Sequence, residues 1–583
     1  MATDETHSLI EQRRAKLAAL RAKGIDPFRN KFTPSESCKH ARDNYAEGRE
    51  VAVAGRVTAH RDMGKSMFVD VRDESGRLQV YAQKNVLGDE QFDIFRHLDL
   101  GDFMGARGTL FTTKTGEISI RLTSFTILAK ALRPPPEKWH GLADTEIRYR
   151  QRYLDLIANP EVKEVFLKRS QIIREIRNFL NDRGFVEVET PMMQPIPGGA
   201  AAQPFKTFHN ALGCDFYLRI ALELSLKRLL VGGMDKVFEI GRNFRNEGLS
   251  RKHNPEFTML EAYQAYGDYE SMMELVQYMV CEVAQKVLGT LRVPTGEQLG
   301  AVVDRVAQTW LLFEEGFYKT LENMSSVPEL RELSQKFTRL PNSLDTTNCF
   351  RVAQDLISIL VDLRAALQAG MQQWRETTFL NHASTVLAAV SGILELLSPL
   401  PDQMINLTPP WRRIKYKDLV RERAGADWFD ISPAERRDRA IKLGAEIGKE
   451  YEDFEVTQGL FEKLIEPTLI NPTFVTHAPK ELIPLAKLSP EDPTTVEVFE
   501  CCINGQEISP AYTEQNDPIE QRERLEHQAG GEQQKLDEDF LVALEHGMPP
   551  AGGMGMGIDR LCMMLLGQES IRDVILFPQL KPK

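Results

Sequence analysis

Between about Glu50 and Leu132 the chain alternates apolar and polar residues in short runs: VAVAGRVTAH, MFVDVRD, GRLQVYAQ, DFMGARGTLF and GEISIRLTSFTIL. Turn residues part them at Asp73-Glu74-Ser75-Gly76 and Lys114-Thr115-Gly116. Closely spaced period-two runs predict a small barrel of the OB type, whose strand face stacks single-stranded bases. On that face Phe68 offers a ring and Gln79 a base-edge hydrogen bond, although most strand aromatics are simply core. The flanks have a helical period instead. Leu9 to Lys23 predicts a helix stopped by Gly24 and Pro27, with Arg13, Arg14, Lys16, Arg21 and Lys23 along one side. That side is either a solvated face or an arm that tracks phosphates. Glu161 to Asn181 predicts another helix, striped by Ile172, Ile176, Phe179 and Leu180, before a strand FVEVETP that closes at Pro191.

Lys236 to Gln264 predicts a strand, a loop and a returning strand. Val237, Glu239, Gly241, Asn243 and Arg245 share one face of the first limb; Phe257, Met259, Glu261 and Tyr263 share one face of the second. One sheet floor can thus carry a cation, a flat ring, a carboxylate and a phenol, with Gly241 letting a ligand approach the backbone. An ordinary hairpin with a charged outer face fits the same spacing. Further on, Asn504-Gly505 between apolar runs signals a two-residue hairpin, pairing Ile503 with Gln506 and Cys502 with Glu507. Glu500 then shares a face with Glu507, and two carboxylates so close need a cation or a proton between them. A solvated pair is the plainer alternative. Between these regions, Val303, Val306, Trp310, Phe313 and Phe317, and then Leu356, Leu360, Leu363 and Leu367, repeat at three-four spacing. They predict a helical bundle with its own core.

Composition changes this picture little. The 583 residues exceed one domain, and 42% hydrophobic with 27% charged is ordinary globular usage. A net charge of -12 argues against nucleic-acid binding only weakly, because local patches set a partner's field. The seven cysteines show no CxxC spacing, so neither a zinc site nor a disulfide framework is expected, and a reducing, cytoplasmic setting follows most simply. The N-terminus has no apolar segment to serve as a signal peptide. The most apolar run, Val386 to Leu397, is too short for a bilayer, so no membrane association is expected.

FRNEG followed by RKHNPEFTMLEAY resembles the second signature motif of class II aminoacyl-tRNA synthetases, and most closely that of the lysyl-tRNA synthetase family. The helix and strand ending at Pro191 resemble the first motif. HGMPPAGG, GGMGMGIDRL and DVILFP resemble the third. GRVTAHRDMGKSMFVDVRD and KTGEISI resemble the family's anticodon-binding barrel. The resemblance implies an α+β protein: an OB-fold barrel, then an antiparallel synthetase sheet flanked by helices, with an inserted all-α bundle. The expected divisions are a helical arm over 1–49, the barrel over 50–133, catalytic parts over 134–290 and 406–583, and the insertion over 291–405. The insertion matches nothing in the family pattern. It reads as an inert or fused segment, a partner-binding module or a tRNA-acceptor module, and its few basic clusters favour the inert or protein-binding readings.

The resemblance also assigns roles. Arg245 would clamp the amino-acid carboxylate and the α-phosphate of ATP, and Arg560 would cover adenine and reach the γ-phosphate; both are the expected catalytic groups. Phe257 would stack on adenine, Glu247 would accept from its amine, His253 would approach the outer phosphates, and Gly557 completes the ATP set. Gly199, Glu223, Glu261, Tyr263, Tyr512 and Glu514 would hold L-lysine, with Glu514 on the ε-ammonium. Glu500 and Glu507 would bind Mg2+. Phe68, Gln79 and Glu117 would contact anticodon bases of tRNA(Lys). The first motif implies a homodimer. Three positions depart from the family pattern: Leu222 stands for proline, Gln203 for arginine, and Ser509-Pro510-Ala511 for asparagine with glycines. The expected reaction is ATP-dependent formation of lysyl-adenylate and lysyl transfer to tRNA. Aspartyl- or asparaginyl-type synthetases, a protein-lysylating relative lacking the barrel, and a non-catalytic tRNA- or partner-binding scaffold are the alternatives. Glu261 and Glu514 would repel an aspartate side chain.

Overall fold

The computed structural model describes residues 2–135, 142, 144–200, 202–295, 349–371, 383–384, 386–388, 390–391, 394, 404–529 and 536–582. They form two compact units, Met1–Asn159 and Pro160–Lys583.

In the first unit, strands β1 (Glu50–Asp62), β2 (Ser66–Arg72), β3 (Arg77–Gln83), β4 (Phe103–Thr112) and β5 (Ile118–Ala129) close a barrel in the order β1-β2-β3-β5-β4. Inward residues such as Val69, Val71, Leu78, Val80, Met104 and Ile120 are fully buried, as the alternation requires. The N-terminal helix α1 (Ala2–Ala22) is longer than its apolar pattern suggested. Its basic side is divided in use. Arg13 is turned inward, donating from Nη1 to the carbonyls of Ala131 and Arg133 at 3.0 Å each, and Lys16 pairs with Asp99 at 2.6 Å. Arg14, Arg21 and Lys23 remain exposed. A phosphate-tracking arm using all five cations is therefore corrected: two of them hold the helix to the barrel.

In the second unit, an eight-stranded sheet carries the site. Its strands are β6 (Val186–Glu187), β7 (Lys236–Phe244), β8 (Glu256–Ala265), β9 (Arg412–Lys415), β10 (Thr473–Thr476), β11 (Val498–Ile503), β12 (Gln506–Thr513) and β13 (Ala551–Gly557). The order is β9-β10-β11-β12-β13-β8-β7-β6, antiparallel except at the two edges. Helices α2 (Pro160–Asn181) and α3 (Tyr269–Leu288) bury Ile172, Ile176, Phe179, Val276, Met279 and Val283 against one face. The opposite face carries the site's polar residues beside a second apolar cluster that includes Val237, Leu226, Leu230, Phe540 and Leu544.

FVEVETP is a strand for only two residues. Beyond Val188, Thr190 gives its N–H (3.0 Å) and its hydroxyl (2.7 Å) to the Glu239 carboxylate instead of to a neighbouring strand. Glu239 also pairs with buried Arg219 at 2.7 Å. This pair corrects the role expected for Gly241: a Cβ there would lie 2.1 Å from Arg219 Nη2, so the missing side chain makes room for an arginine of the fold and not for a ligand.

The segment expected as an insertion is flanked by a short ribbon, Arg292–Pro294 paired with Met404–Asn406, whose Val293 and Ile405 belong to the main core. Of the expected boundaries, 291 lies one residue before this ribbon and 405 within it. Helix Cys349–Met371 buries Leu356, Leu360, Leu363 and Leu367, the expected stripe. Val303, Val306, Trp310, Phe313 and Phe317 lie outside the described residues.

Candidate active site

The loop-linked pair β7–β8 has the face assignment that its alternation predicts. Glu239 opposes Glu261, Gly241 opposes Met259, and Asn243 opposes Phe257. Beside β8 runs β13, with Gly555 opposite Glu261 and Gly553 opposite both Tyr263 and, on β12, Tyr512. Two adjoining hollows result.

The first is a cleft lined by Arg245, Glu247, His253, Phe257, Glu507, Gly557 and Arg560, which brings together all six residues expected to bind ATP. The Arg245 guanidinium lies 5.2 Å from the Phe257 ring centre. Burial lowers the pKa of Arg245, opposed first by Glu247 and then by Glu261 and Glu507. Arg560 donates to the Glu507 carbonyl at 3.1 Å and reaches His253 Nε2 at 3.2 Å. A guanidinium only donates, so His253 Nε2 accepts and Nδ1 carries the proton toward Ser250 Oγ, 2.8 Å away. Burial and then Arg560 push His253 below its ordinary pKa, in keeping with a neutral ring. Asp559, next to Arg560 and 2% exposed, accepts from Arg169 at 2.6 Å and from the Thr258 N–H at 2.7 Å. It thereby ties the start of helix α4 (Ile558–Leu565) to β8 and to α2. Sequence reasoning passed over this clamp because its partners are hundreds of residues apart.

The second hollow is an acidic cup. Gly199, Glu223 and Tyr512 line a cavity, whereas Glu261, Tyr263 and Glu514 are buried beside it and line neither hollow. Tyr512 donates to Glu223 at 2.6 Å, and Tyr263 donates to Glu261 at 3.0 Å. The Leu222 N–H donates to Glu261 at 3.1 Å. Here the departure from proline adds a group, since proline has no N–H to give. Burial, with Glu223 adding to it, raises Glu261 to about 7. Burial likewise raises Glu514, with Lys227 opposing and Glu223 reinforcing. Lys227 went unnoticed in the sequence, yet it is fully buried and pairs with both Glu223, at 2.7 Å, and Glu514. The signal was present as Glu223 and Lys227 at i and i+4, an arrangement ordinarily found on solvated helix faces. Ser509, at another departure, points away: its hydroxyl donates to the Gly555 carbonyl, while Pro510 lines the nucleotide cleft. Gln203 is exposed, and its carbonyl accepts the Asn246 N–H at 2.7 Å.

Gly553 is required by this packing. An added Cβ would stand 2.0 Å from Glu514 Oε1 and 2.5 Å from the Tyr263 ring. We expect Gly553→Ala to raise the KM for the amino acid about tenfold or more, the cost of overpacking at a buried site, while the KM for ATP stays within about twofold. Steady-state kinetics on both substrates checks this. A second expectation concerns pH. Glu261 must be ionised to face an ammonium, and the Tyr263 hydroxyl favours the ionised form. Tyr263→Phe removes that donor, raises the Glu261 pKa further, and moves the acid limb of kcat/KM for the amino acid to higher pH. A pH profile in which the limb stays put or moves down contradicts it.

The carboxylate hairpin forms with Asn504 and Gly505 both at positive φ, 57° and 67°, as a type I′ turn requires. Ile503 pairs with Gln506 and Cys502 with Glu507, as expected; a bulge then shifts the register so that Cys501 meets Ser509 and Glu500 meets Pro510. Burial, then Glu507 and Glu466, push Glu500 well above the carboxylate range. Among the described residues, no group of three or more His, Cys, Asp or Glu side chains gathers where a metal ion would fit. In the barrel, Phe68 packs on Tyr81 with centroids 4.7 Å apart, Gln79 accepts from Ser119 at 2.8 Å, and Glu117 accepts from Arg77 at 2.9 Å.

A barrel of this kind, and a sheet presenting two arginines over an aromatic floor beside an acidic cup, define a class II tRNA synthetase. The family model described as tRNA synthetases class II (D, K and N) matches residues 144–581, and one for an OB-fold nucleic acid binding domain matches 51–128. A lysine--tRNA ligase of Pelotomaculum thermopropionicum is 42% identical across 100% of this chain and 96% of its own length. That of Moorella thermoacetica is 43% identical across 100% of both, and that of Bacillus subtilis is 40% identical across 100% of this chain and 98% of its own. The chain belongs to the lysine--tRNA ligase family.

Proposed function

We propose that this chain activates L-lysine with ATP and transfers the lysyl group to the 3′ end of tRNA(Lys). The observation that carries this reading is the place of Arg245. It feels Glu261 of the acidic cup on one side and Glu247, Glu507 and Arg560 of the cleft on the other. A guanidinium there neutralises both the amino-acid carboxylate and the α-phosphate, and its fork geometry suits each. The carboxylate attacks the α-phosphorus, a mixed anhydride forms, and pyrophosphate leaves. The tRNA hydroxyl then attacks the carbonyl, releasing AMP. No side chain serves as nucleophile; the rate comes from alignment and charge neutralisation. Phe257 supports adenine, Glu247 its amine, and Arg560 the outer phosphates. In the cup, Glu223 faces the α-ammonium, with Gly199 beside it, and Glu514 the ε-ammonium.

Glu500 and Glu507 fit Mg2+: they are hard oxygen donors, and the buried member takes a proton unless a cation lies beside it. With only two protein carboxylates, the shell needs phosphate oxygens. The ion supplies charge neutralisation at the outer phosphates of ATP when bound.

On the barrel, Phe68, Gln79 and Glu117 form the anticodon face, the latter two trading Ser119 and Arg77 for bases. A homodimer through the region of the first motif is supported by apolar groups left exposed in it and directly after it, Val186, Met192 and Met193. No helix among the described residues is long and apolar enough to cross a membrane. Cys38, Cys214, Cys281, Cys501, Cys502 and Cys562 are free thiols, in keeping with a reducing setting such as the cytoplasm. ATP–pyrophosphate exchange with each of the twenty amino acids tests the reading. Lysine alone is expected to drive exchange. Exchange driven by aspartate or asparagine and not by lysine overturns it.

A further inference from the structure

The amino-acid cup contains an ammonium of its own. From the helix Glu223–Val231 come Glu223 and Lys227; from β8 come Glu261 and Tyr263; from β12 comes Tyr512, and from the residue just after that strand Glu514. Lys227 Nζ lies 2.7 Å from Glu223 and in ion contact with Glu514, 5.6 Å from the Tyr512 ring centre. Glu514 is 1% exposed; its Oε2 takes the Lys227 ammonium, and its Oε1 has no hydrogen-bond donor. A buried carboxylate in that condition is prepared for a second cation.

We propose that Lys227 is a fixed internal counter-cation that sets the charge this pocket accepts, so that it selects an amino acid bearing two ammonium groups. The inference rests on the reading that the cup holds the amino acid. Glu223 and Glu514 contact the one resident ammonium, while Glu261 accepts from the Leu222 N–H and the Tyr263 hydroxyl; with all three carboxyl groups ionised the cup is two positive charges short. The α- and ε-ammonium groups of lysine supply two, and Arg245 answers the substrate carboxylate. A neutral side chain leaves a buried carboxylate uncompensated, which is costly. Without Lys227 the cup would be three charges short, and one carboxyl would have to stay protonated when lysine entered. Burial works against charge on Lys227, but Glu223 and then Glu514 overcome it and hold its pKa above the ordinary value, so the counter-cation stays charged through the neutral range. Lys227 acts through Glu223 and Glu514, which makes it a positioning and charge-setting residue.

The test compares Lys227→Met, Glu514→Gln and the double variant in ATP–pyrophosphate exchange. Lys227→Met is expected to raise the lysine KM and shift the acid limb of kcat/KM for lysine to higher pH, with the ATP KM within about twofold. The double variant decides most. Glu514→Gln leaves one net negative charge against two incoming ammonium groups, and removing Lys227 restores two. The double variant should therefore bind lysine better than Glu514→Gln alone, by about fivefold or more, the size of coupling between contacting charges. A purely structural role for Lys227 predicts the reverse, since defects then accumulate. If Lys227→Met does not fold, the double variant, in which both partners become neutral, carries the test alone. Glu514→Gln without effect on the lysine KM defeats the reading of the cup. Glu514→Gln with its effect, but no recovery in the double variant, defeats the role of Lys227 alone.

Discussion

Arg245→Ala is expected to lower kcat/KM in lysine-dependent pyrophosphate exchange by about 10³-fold or more, with the fold intact. Arg245 is the last residue predicted on its strand face, just beyond β7, and it sits between the two hollows. Its Nε approaches the Ile220 carbonyl at 3.4 Å, and its guanidinium rests beside the Phe257 ring. It lines the nucleotide cleft, and Glu247, Glu261 and Glu507 all lie near enough to act on its charge. When the carboxylate of the amino acid meets the α-phosphate there, two anions must approach bonding distance. Without a cation between them the repulsion is unscreened in a partly dry site. Loss of one positioned donor to developing charge costs about 10²–10³-fold, and loss of a buried charge partner costs about 2–5 kcal/mol. Arg245→Lys should recover little, because a point charge cannot bridge two oxyanions as a planar fork does. Isolated thermal unfolding of the variant should show little change, since losing one long hydrogen bond to Ile220 is offset by relief of a buried charge. If Arg245→Ala keeps more than about a tenth of kcat/KM, the clamp lies elsewhere.

Local rules read much of this molecule correctly. The barrel strands follow their alternation because each inward position is fully buried. The Asn504-Gly505 turn sets the pairs nearest to it, because a two-residue turn allows one register. The bulge beyond it was not legible: it depends on how β12 must bend to pack Ser509 against Gly555. FVEVETP reads as a full strand until a side chain from elsewhere in the fold, Glu239, takes up the Thr190 N–H. Gly241 reads as an opening for ligand until Arg219 arrives from a different segment. Long-range partners explain each miss. Lys227 is the sharpest case: the local i, i+4 pair with Glu223 looks solvated, and only the approach of Glu514 from the other end of the chain turns it into a buried triad. Leu222, which stands where the family pattern has proline, gains meaning only when its N–H is seen to point at Glu261. The residues assigned to ATP by resemblance gathered into one cleft because the signature motifs occupy neighbouring strands. The clamps behind them, Asp559 with Arg169 and Glu239 with Arg219, carry no local signature at all.

Glu514→Gln should raise the KM for lysine by about 10²–10³-fold, while the KM for ATP stays within about twofold. The size follows from leaving a buried ammonium without its carboxylate, about 3–5 kcal/mol in comparable pairs. The substitution keeps the shape of the side chain, so the packing against Gly553 and Tyr263 should survive. Discrimination against an uncharged analogue with the same carbon chain should fall together with affinity, because shape alone separates such molecules poorly. The pH dependence has a definite sign. Burial raises the Glu514 pKa to about 8, so in the free protein the carboxyl loses its proton as pH climbs through that region. Below it, wild type and variant both present a neutral group, and their kcat/KM values for lysine should converge. Above it, only the wild type gains a negative charge, so the ratio of wild type to variant should widen from about pH 6 to pH 9. A ratio that narrows over that range would place the ε-ammonium against some other carboxylate, with Glu261 the first to try. Equal losses for lysine and ATP would mean that Glu514 holds the sheet together and does not read the substrate.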